Sequence, residues 1–173
     1  MRYTYSNCYN LTGSPTCGDK VTDMAGTYSD CYNLTGSPMC GDNVVYMVNT
    51  YVNCYNLNGN FTCGPNIINM NYAFYKCNNL GGNGYIYSYQ VQNARNCFGG
   101  KNNSIRLNLF VHKSSTTAFT FMRTNTYSLV GANITWTNDN NCFYNTIYNI
   151  YLYQVDNVYN TYMEHYPVNI PIL

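Results

Sequence analysis

Cysteine and histidine are the residues of this chain that could do covalent chemistry. The sequence has nine Cys and two His, and a thiolate that a neighbouring imidazole activates is a strong nucleophile. His112 and His165 are the candidate bases, and His165 lies in a polar segment. Seven of the nine Cys recur at a fixed spacing, which is typical of packing positions rather than of one reactive site. The sequence therefore predicts that the protein is not an enzyme and has no catalytic residue.

Metal binding and disulfide formation are the other chemistries that many thiols suggest. Structural zinc sites usually use a short Cys-x-x-Cys pair, and none occurs here. Asp19 and Asp42 are 23 residues apart, but Pro65 stands where a repeated calcium site would need a third carboxylate. We therefore expect no metal and no cofactor. We favour buried free thiols over disulfides, which remain the alternative, because Cys is a small, strongly buried hydrophobe.

A 23-residue repeat must position these side chains. We use the word column for a set of equivalent positions in successive copies. The columns are Cys8, Cys31, Cys54 and Cys77; Cys17, Cys40 and Cys63; Leu11, Leu34, Leu57 and Leu80; Met24, Met47 and Met70; and Asn10, Asn33, Asn56 and Asn79. Such a period indicates a stacked array in which each unit buries its apolar face against the next. We expect the Cys, Leu and Met columns to form structural ladders in the interior, and the Asn column to bond main-chain groups of the neighbouring unit.

Each unit is expected to contain two local structures. Residues 11–17 have a period of two, which predicts a short strand, although Pro15 cannot donate to a strand ladder. The spacing of Val21, Met24 and Tyr28 suits one face of a short helical turn. The sequence thus predicts a mainly β, leucine-rich-repeat-like solenoid, in which a ribbon of parallel strands is joined by short helical turns.

Two domains are expected. The solenoid covers residues 1–98 in about four coils, and the repeat signal fades after Gly99. Residues 99–173 are predicted to form a β-rich C-terminal unit that caps the array. Its strands are expected at 105–111, 129–137 and 142–155, and one short helix is expected near 115–124.

The repeat resembles the BspA-like leucine-rich repeats of bacterial surface proteins and of phages that infect gut bacteria. Those repeats carry an aromatic-x-x-Cys-x-x-Leu core, which Tyr5, Cys8 and Leu11 match in the first copy. The later matches are Tyr28, Cys31 and Leu34, and Tyr51, Cys54 and Leu57. The resemblance covers about residues 1–125. It implies a curved solenoid with a role in adhesion or host recognition, and it implies no catalytic residues.

Composition narrows the classes of partner. Charged residues make up 9% of the chain, the net charge is +1, and 30 Asn accompany 21 Tyr. Nucleic acid binding needs clustered Lys and Arg, and no such block is present. No apolar run approaches the ~20 residues of a membrane span. We expect neither nucleic acid binding nor a membrane span, and an uncharged surface suited to a cell-surface glycan or protein.

The expected ligand-facing residues surround a column of tyrosines. Tyr9, Tyr32 and Tyr55 each follow a Cys that should be buried, so their rings should point outward as an amphipathic strip. The alternative is that these rings cover the seams between coils. Recognition usually uses positions that vary between copies. Those positions are Thr16, Met39 and Thr62; Lys20, Asn43 and Asn66; and Thr22, Val45 and Ile68.

These patterns predict a recognition or adhesion protein outside the cell, on a cell surface or a virion, such as a bacterial adhesin or a phage tail-fibre component. The alternative is a structural subunit that decorates a virion or associates end to end through an uncapped N-terminal coil. Met1 falls on the Met position of the repeat, so we expect the chain to be the C-terminal part of a longer array.

Overall fold

The fold is described from a computed structural model. It describes residues 1–87, 93 and 96–99, and in addition the strands at 105–112, 124–128, 135–138 and 149–155.

Main-chain hydrogen bonds join each 23-residue unit to the next. The N–H of Tyr5 donates to the carbonyl of Thr27 at 2.9 Å, and the N–H of Tyr28 donates to the carbonyl of Thr50 at 2.9 Å. Each bond spans 22 residues in the same direction, so adjacent units run parallel. In the following unit, main-chain N–H groups likewise donate to carbonyls 22 residues later, and the donors are Met47, Asn49, Tyr51 and Asn53.

The alternate N–H groups of this segment close turns inside their own unit. Thr27 donates to the carbonyl of Met24 at 3.0 Å, and Gly26, the third residue of that turn, has a φ of 63°. A type II turn requires a positive φ at this place, which Gly and Asn tolerate best and Asp better than most residues. Positive φ recurs at the equivalent turns, at Asp30, Asn49, Asn53, Tyr72 and Lys76.

The helical turns predicted from Val21, Met24 and Tyr28 are therefore wrong. No residue that the structure describes is helical, and of these three residues Tyr28 lies in a run of turns that begins after Met24. The reason is that every second N–H bonds to the neighbouring unit, whereas in a helix it would bond four residues back.

The residues that the structure describes form six strands in two sheets. The strands are β1 (Phe61–Cys63), β2 (Gly82–Ile86), β3 (Ile105–His112), β4 (Thr124–Ser128), β5 (Thr135–Asn138) and β6 (Asn149–Val155). β1, β2, β3 and β6 form a parallel sheet in that order, and β4 pairs with β5 antiparallel. In the parallel sheet Phe61 pairs with Gly84, Gly84 with Leu107, and Leu107 with Ile150.

The strand expected over 11–17 is absent from that part of the first unit, and its second-unit equivalent contributes a single bridge from Met39 to Thr62. A strand forms first at β1, where Phe61 replaces the Pro15 and Pro38 of the earlier units. Proline has no N–H for a ladder, which accounts for the difference.

The C-terminal predictions fall partly outside the described residues. β3 covers the segment predicted at 105–111, and β6 lies within the one predicted at 142–155. β5 overlaps the end of the segment predicted at 129–137. β4 begins at Thr124, the last residue of the predicted helix, and the rest of that helix, 115–123, lies outside the described residues, as does Cys142.

The core is formed by equivalent residues of successive units. Cys31, Cys54, Cys77, Cys40 and Cys63 are buried in it, together with the residues Leu34, Leu57, Leu80, Met24, Met47 and Met70. Cys8, Leu11, Cys17 and Val21 of the first unit are half-buried and pack against this cluster. Burial of these columns supplies the apolar contact between units.

Candidate ligand-binding surface

The candidate surface is centred on Tyr9, Tyr32 and Tyr55, which we call the tyrosine strip. In two of the three units a tight turn sets the direction of the side chain: the N–H of Tyr9 donates to the carbonyl of Asn7 at 2.9 Å, and that of Tyr55 to Asn53 at 3.0 Å. Such a two-residue bond reverses the chain at the intervening Cys. The Cys side chain consequently enters the core while the next residue, Tyr, faces outward.

The three rings of the strip stack face to face. The centroids of Tyr9 and Tyr32 are 5.1 Å apart with an interplanar angle of 19°, and those of Tyr32 and Tyr55 are 5.3 Å apart with an angle of 20°. Tyr9 is 49% exposed and Tyr32 37% exposed, while Tyr55 is half-buried. The neighbours cover both faces of Tyr32, so the strip presents ring edges and phenolic hydroxyls to solvent.

Polar groups border the hydroxyl side of the strip. The Tyr9 hydroxyl donates to Asn7 Oδ1 at 3.3 Å. Desolvation, followed by the Asp30 carboxylate and the neighbouring Tyr9 and Tyr55 rings, raises the pKa of the Tyr32 phenol. A tyrosine phenol is protonated at neutral pH in any case, so Tyr32 can act as a hydrogen-bond donor.

Asp30 is the carboxylate beside the strip, and it is engaged. Its Oδ1 accepts a hydrogen bond from Asn53 Nδ2 at 2.7 Å, and its Oδ2 accepts one from the Ser29 hydroxyl at 2.9 Å. These bonds fix the carboxylate in the column of positive-φ turn residues.

A second row of rings lies inside the molecule and differs from the strip. Tyr28 and Tyr51 stack at 5.5 Å with an interplanar angle of 3°, and Tyr51 stacks on Phe74 at 5.4 Å. The Tyr28 hydroxyl donates to the carbonyl of Thr16 at 2.7 Å, and the Tyr51 hydroxyl to that of Met39 at 3.1 Å. The hydroxyls of the inner row are thus bonded to main chain, so the row is structural.

The column of Thr16, Met39 and Thr62, which was also expected to face a ligand, is exposed at two positions and buried at the third. Thr16 is exposed and Met39 is 54% exposed. Thr62 is only 8% exposed, because it lies in β1 in register with both Met39 and Tyr85. No described contact joins Thr16 or Met39 to the tyrosine strip, so we restrict the candidate surface to the strip and its Asn neighbours.

The Asn column beside the strip is exposed at Asn10, Asn33, Asn56 and Asn79. The bond expected of it is present at Asn33, whose Nδ2 donates to the carbonyl of Tyr9 at 2.8 Å. At Asn79 it is the main-chain N–H that donates, to the carbonyl of Tyr55 at 3.3 Å. This column therefore borders the strip and ties its turns to one another.

Sequence reasoning missed a second set of Asn bonds. Asn43 Nδ2 donates to the carbonyl of Asp19 at 2.7 Å, and Asn66 Nδ2 to that of Asp42 at 2.9 Å. The variation of this position between copies predicts that both Asn residues face a ligand, whereas their amides bond the main chain of the preceding unit. The recurrence of Asn at this position in the second and third copies was the available signal, since an amide at equivalent sites can bond the main chain of the neighbouring unit.

The thiols are mostly buried in the part of the chain that the structure describes. The eight Cys there are free thiols, and no three His, Cys, Asp or Glu side chains among those residues come together to hold a metal ion. Burial raises the pKa values of the Cys40, Cys54 and Cys77 thiols, which opposes formation of a thiolate nucleophile.

Among the described residues, no helix is both long and apolar enough to cross a membrane. The chain matches no protein-family model, no curated protein and no solved structure at a significant level.

Proposed function

We propose that this protein is a non-enzymatic recognition protein, built as a leucine-rich-repeat-like solenoid, that binds a cell-surface glycan or protein through the tyrosine strip. The observation that carries the proposal is the exposure of Tyr9 and Tyr32 in a ring stack whose hydroxyl edges face outward. Aromatic groups with an accessible hydroxyl are typical of binding surfaces. The resemblance to BspA-like repeats supports a location on a cell surface or virion.

The type of side chain in the strip also favours a binding role over a purely structural one. The inner stack of Tyr28 and Tyr51 is buried and its hydroxyls bond to main chain. A seam-covering residue would need only an apolar ring, as Phe74 provides in the inner stack. In the strip the three aromatic residues are all Tyr, which retains a hydroxyl where the solvent can reach it.

The test compares Tyr32→Ala/Tyr55→Ala with the wild-type chain on arrays of bacterial surface glycans and purified surface proteins. Tyr46→Ala is the matched control, because Tyr46 is 46% exposed and lies in another column. We expect the double variant to lose binding while its melting temperature stays within a few degrees of the wild-type value. Unchanged binding of the double variant would reject the proposal.

A structural subunit that associates end to end is the second candidate. The observation in its favour is that Cys8, Leu11, Cys17 and Val21 are half-exposed apolar side chains at one end of the buried columns. Light scattering separates the two functions. Growth of the apparent mass with concentration favours the subunit, and a constant monomer mass favours recognition.

A further inference from the structure

We propose that the occupant of the tyrosine strip is a neutral, unbranched polysaccharide, which lies along the row of rings with one sugar residue per 23-residue unit. The inference rests on the proposed function and deepens it by choosing between a glycan and a protein. It follows from three properties of the strip: which parts of the rings are accessible, how far apart they are, and what charge surrounds them.

The accessible parts of the rings are their edges. Because Tyr9 and Tyr55 stack on the two sides of Tyr32 at 5.1 and 5.3 Å, a sugar cannot stack on the faces of the central ring. A ligand must instead accept or donate hydrogen bonds at the row of hydroxyls and lie against the ring edges. A polymer with a hydroxyl-rich edge at each repeat meets this requirement.

The spacing of the rings discriminates between polymers. Adjacent strip rings are 5.1–5.3 Å apart, which is close to the advance per residue of an extended β-linked pyranose chain. An extended peptide repeats its side-chain direction about every 6.8 Å, so a peptide that follows the strip falls out of step within two rings. A linear chain of sugars stays in step over the whole strip.

The charge around the strip favours a neutral ligand. Asp30 is the carboxylate next to Tyr32, and an acidic polysaccharide would approach it unfavourably. The Asp30 oxygens are already bonded to Ser29 and Asn53, so they offer little to a cationic ligand. The exposed neighbours Asn10, Asn33 and Asn56 provide uncharged amides, which suit the hydroxyl and acetamido groups of neutral sugars.

The length of the strip sets the size of the site. The residues of the strip contribute three rings to the row, and Asn78 stands at the next position of the column after Tyr55. The structure therefore predicts three sugar subsites. Affinity should rise from a monosaccharide to a trisaccharide and then level off.

The experiment is calorimetric titration of the full chain with neutral β-linked oligomers of glucose, galactose and N-acetylglucosamine, one to six residues long. Tyr32→Phe is compared with Tyr46→Phe, since both changes remove one exposed phenolic hydroxyl. We expect Tyr32→Phe to weaken trisaccharide binding by about 3- to 10-fold, the range for one lost hydrogen bond, with no change in melting temperature. Tyr46→Phe should bind as the wild type does.

Three results would overturn the inference: an affinity that is the same for one and three sugars, an affinity that keeps rising steeply beyond three, or stronger binding of acidic than of neutral chains. If the oligomers fail to bind but Tyr32→Ala/Tyr55→Ala abolishes binding of a purified surface protein, the strip recognises protein and the polysaccharide inference is wrong while the proposed function stands. If neither ligand class shows dependence on the strip, the proposed function fails as well.

Discussion

The Cys54 thiol donates a hydrogen bond to the main-chain carbonyl of Tyr28, one unit earlier, at 3.0 Å. The same bond joins Cys31 to Tyr5 and Cys77 to Tyr51, each at 3.0 Å. The thiol occupies a buried position where a small apolar group is needed, and it is also a second donor to a carbonyl that already accepts a main-chain N–H, that of Cys31 in the case of Tyr28. This double role accounts for the presence of Cys, rather than Ala or Ser, in the column.

Replacing Cys54 by Ala should destabilise the protein. The change removes a fully buried sulfur and its bond to Tyr28, and we expect a loss of about 1–3 kcal/mol in the free energy of unfolding. Cys8→Ala is the matched control, because Cys8 is half-buried in the first unit, and it should cost less than about 1 kcal/mol. Urea denaturation followed by circular dichroism measures both. Equal costs at the two positions would contradict the assigned role of the thiol.

Stability should fall at alkaline pH because buried thiols resist ionisation. Burial raises the folded-state pKa values of Cys40, Cys54 and Cys77 above those of the unfolded chain, so the folded state holds protons that the unfolded state releases. The stabilisation is complete below the unfolded thiol pKa of about 8.5 and is lost as pH rises above it, at up to about 1.4 kcal/mol per pH unit for each thiol.

The measurement is urea denaturation at intervals from pH 7 to pH 10.5. The free energy of unfolding should be level up to about pH 8.5 and then decline, and the decline should be shallower in Cys54→Ala. A free energy of unfolding that is level or rising through pH 10, or an unchanged slope in the variant, would show that these thiols are not buried as described.

Replacing Gly59 should destabilise the protein, because its main chain lies close to that of the preceding unit. A Cβ on Gly59 would lie 2.8 Å from the main-chain carbon of Gly36 and 2.8 Å from Ser37 Cα, and would also meet the Ser37 hydroxyl. At Gly18 the nearest atom to such a Cβ is Val21 Cγ2 at 3.8 Å. We expect Gly59→Ala to cost about 1–3 kcal/mol and Gly18→Ala less than about 0.5 kcal/mol. The melting temperatures of the two variants test this prediction. A lower melting temperature for Gly18→Ala than for Gly59→Ala would contradict the close contact of Gly59 with Gly36 and Ser37.

The sequence predicted well which residues would be equivalent, because a period needs no knowledge of distant contacts. The spacing of Cys31 and Cys54 singled out side chains that the structure buries. The local conformation was harder to predict. A spacing of three between Val21 and Met24 suits a helix and a series of turns alike, since both bring residues three apart together. The choice depended on main-chain bonds to the neighbouring unit, such as that from Tyr28 to Thr50.

The candidate surface was predictable in position and not in detail. The alternation of Cys and Tyr indicated that Tyr32 would point away from the core. Its two faces are covered because the separation of adjacent units places the neighbouring ring centroids 5.1 and 5.3 Å away. The sequence does not contain that distance. The burial of Thr62 depends on its pairing with Tyr85 in β2, and the fourth copy of the repeat had diverged too far to show that pairing in advance.

Tyrosine footprinting tests most directly whether the tyrosine strip is the binding surface. Nitration by tetranitromethane is followed at each Tyr by mass spectrometry, with and without the best-binding oligosaccharide or surface protein. We expect the ligand to protect Tyr9 and Tyr32, whose rings are exposed in the free protein, and to leave Tyr46 as reactive as before. Protection of Tyr46 with no change at Tyr9 and Tyr32 would contradict the claim that the tyrosine strip is the binding surface.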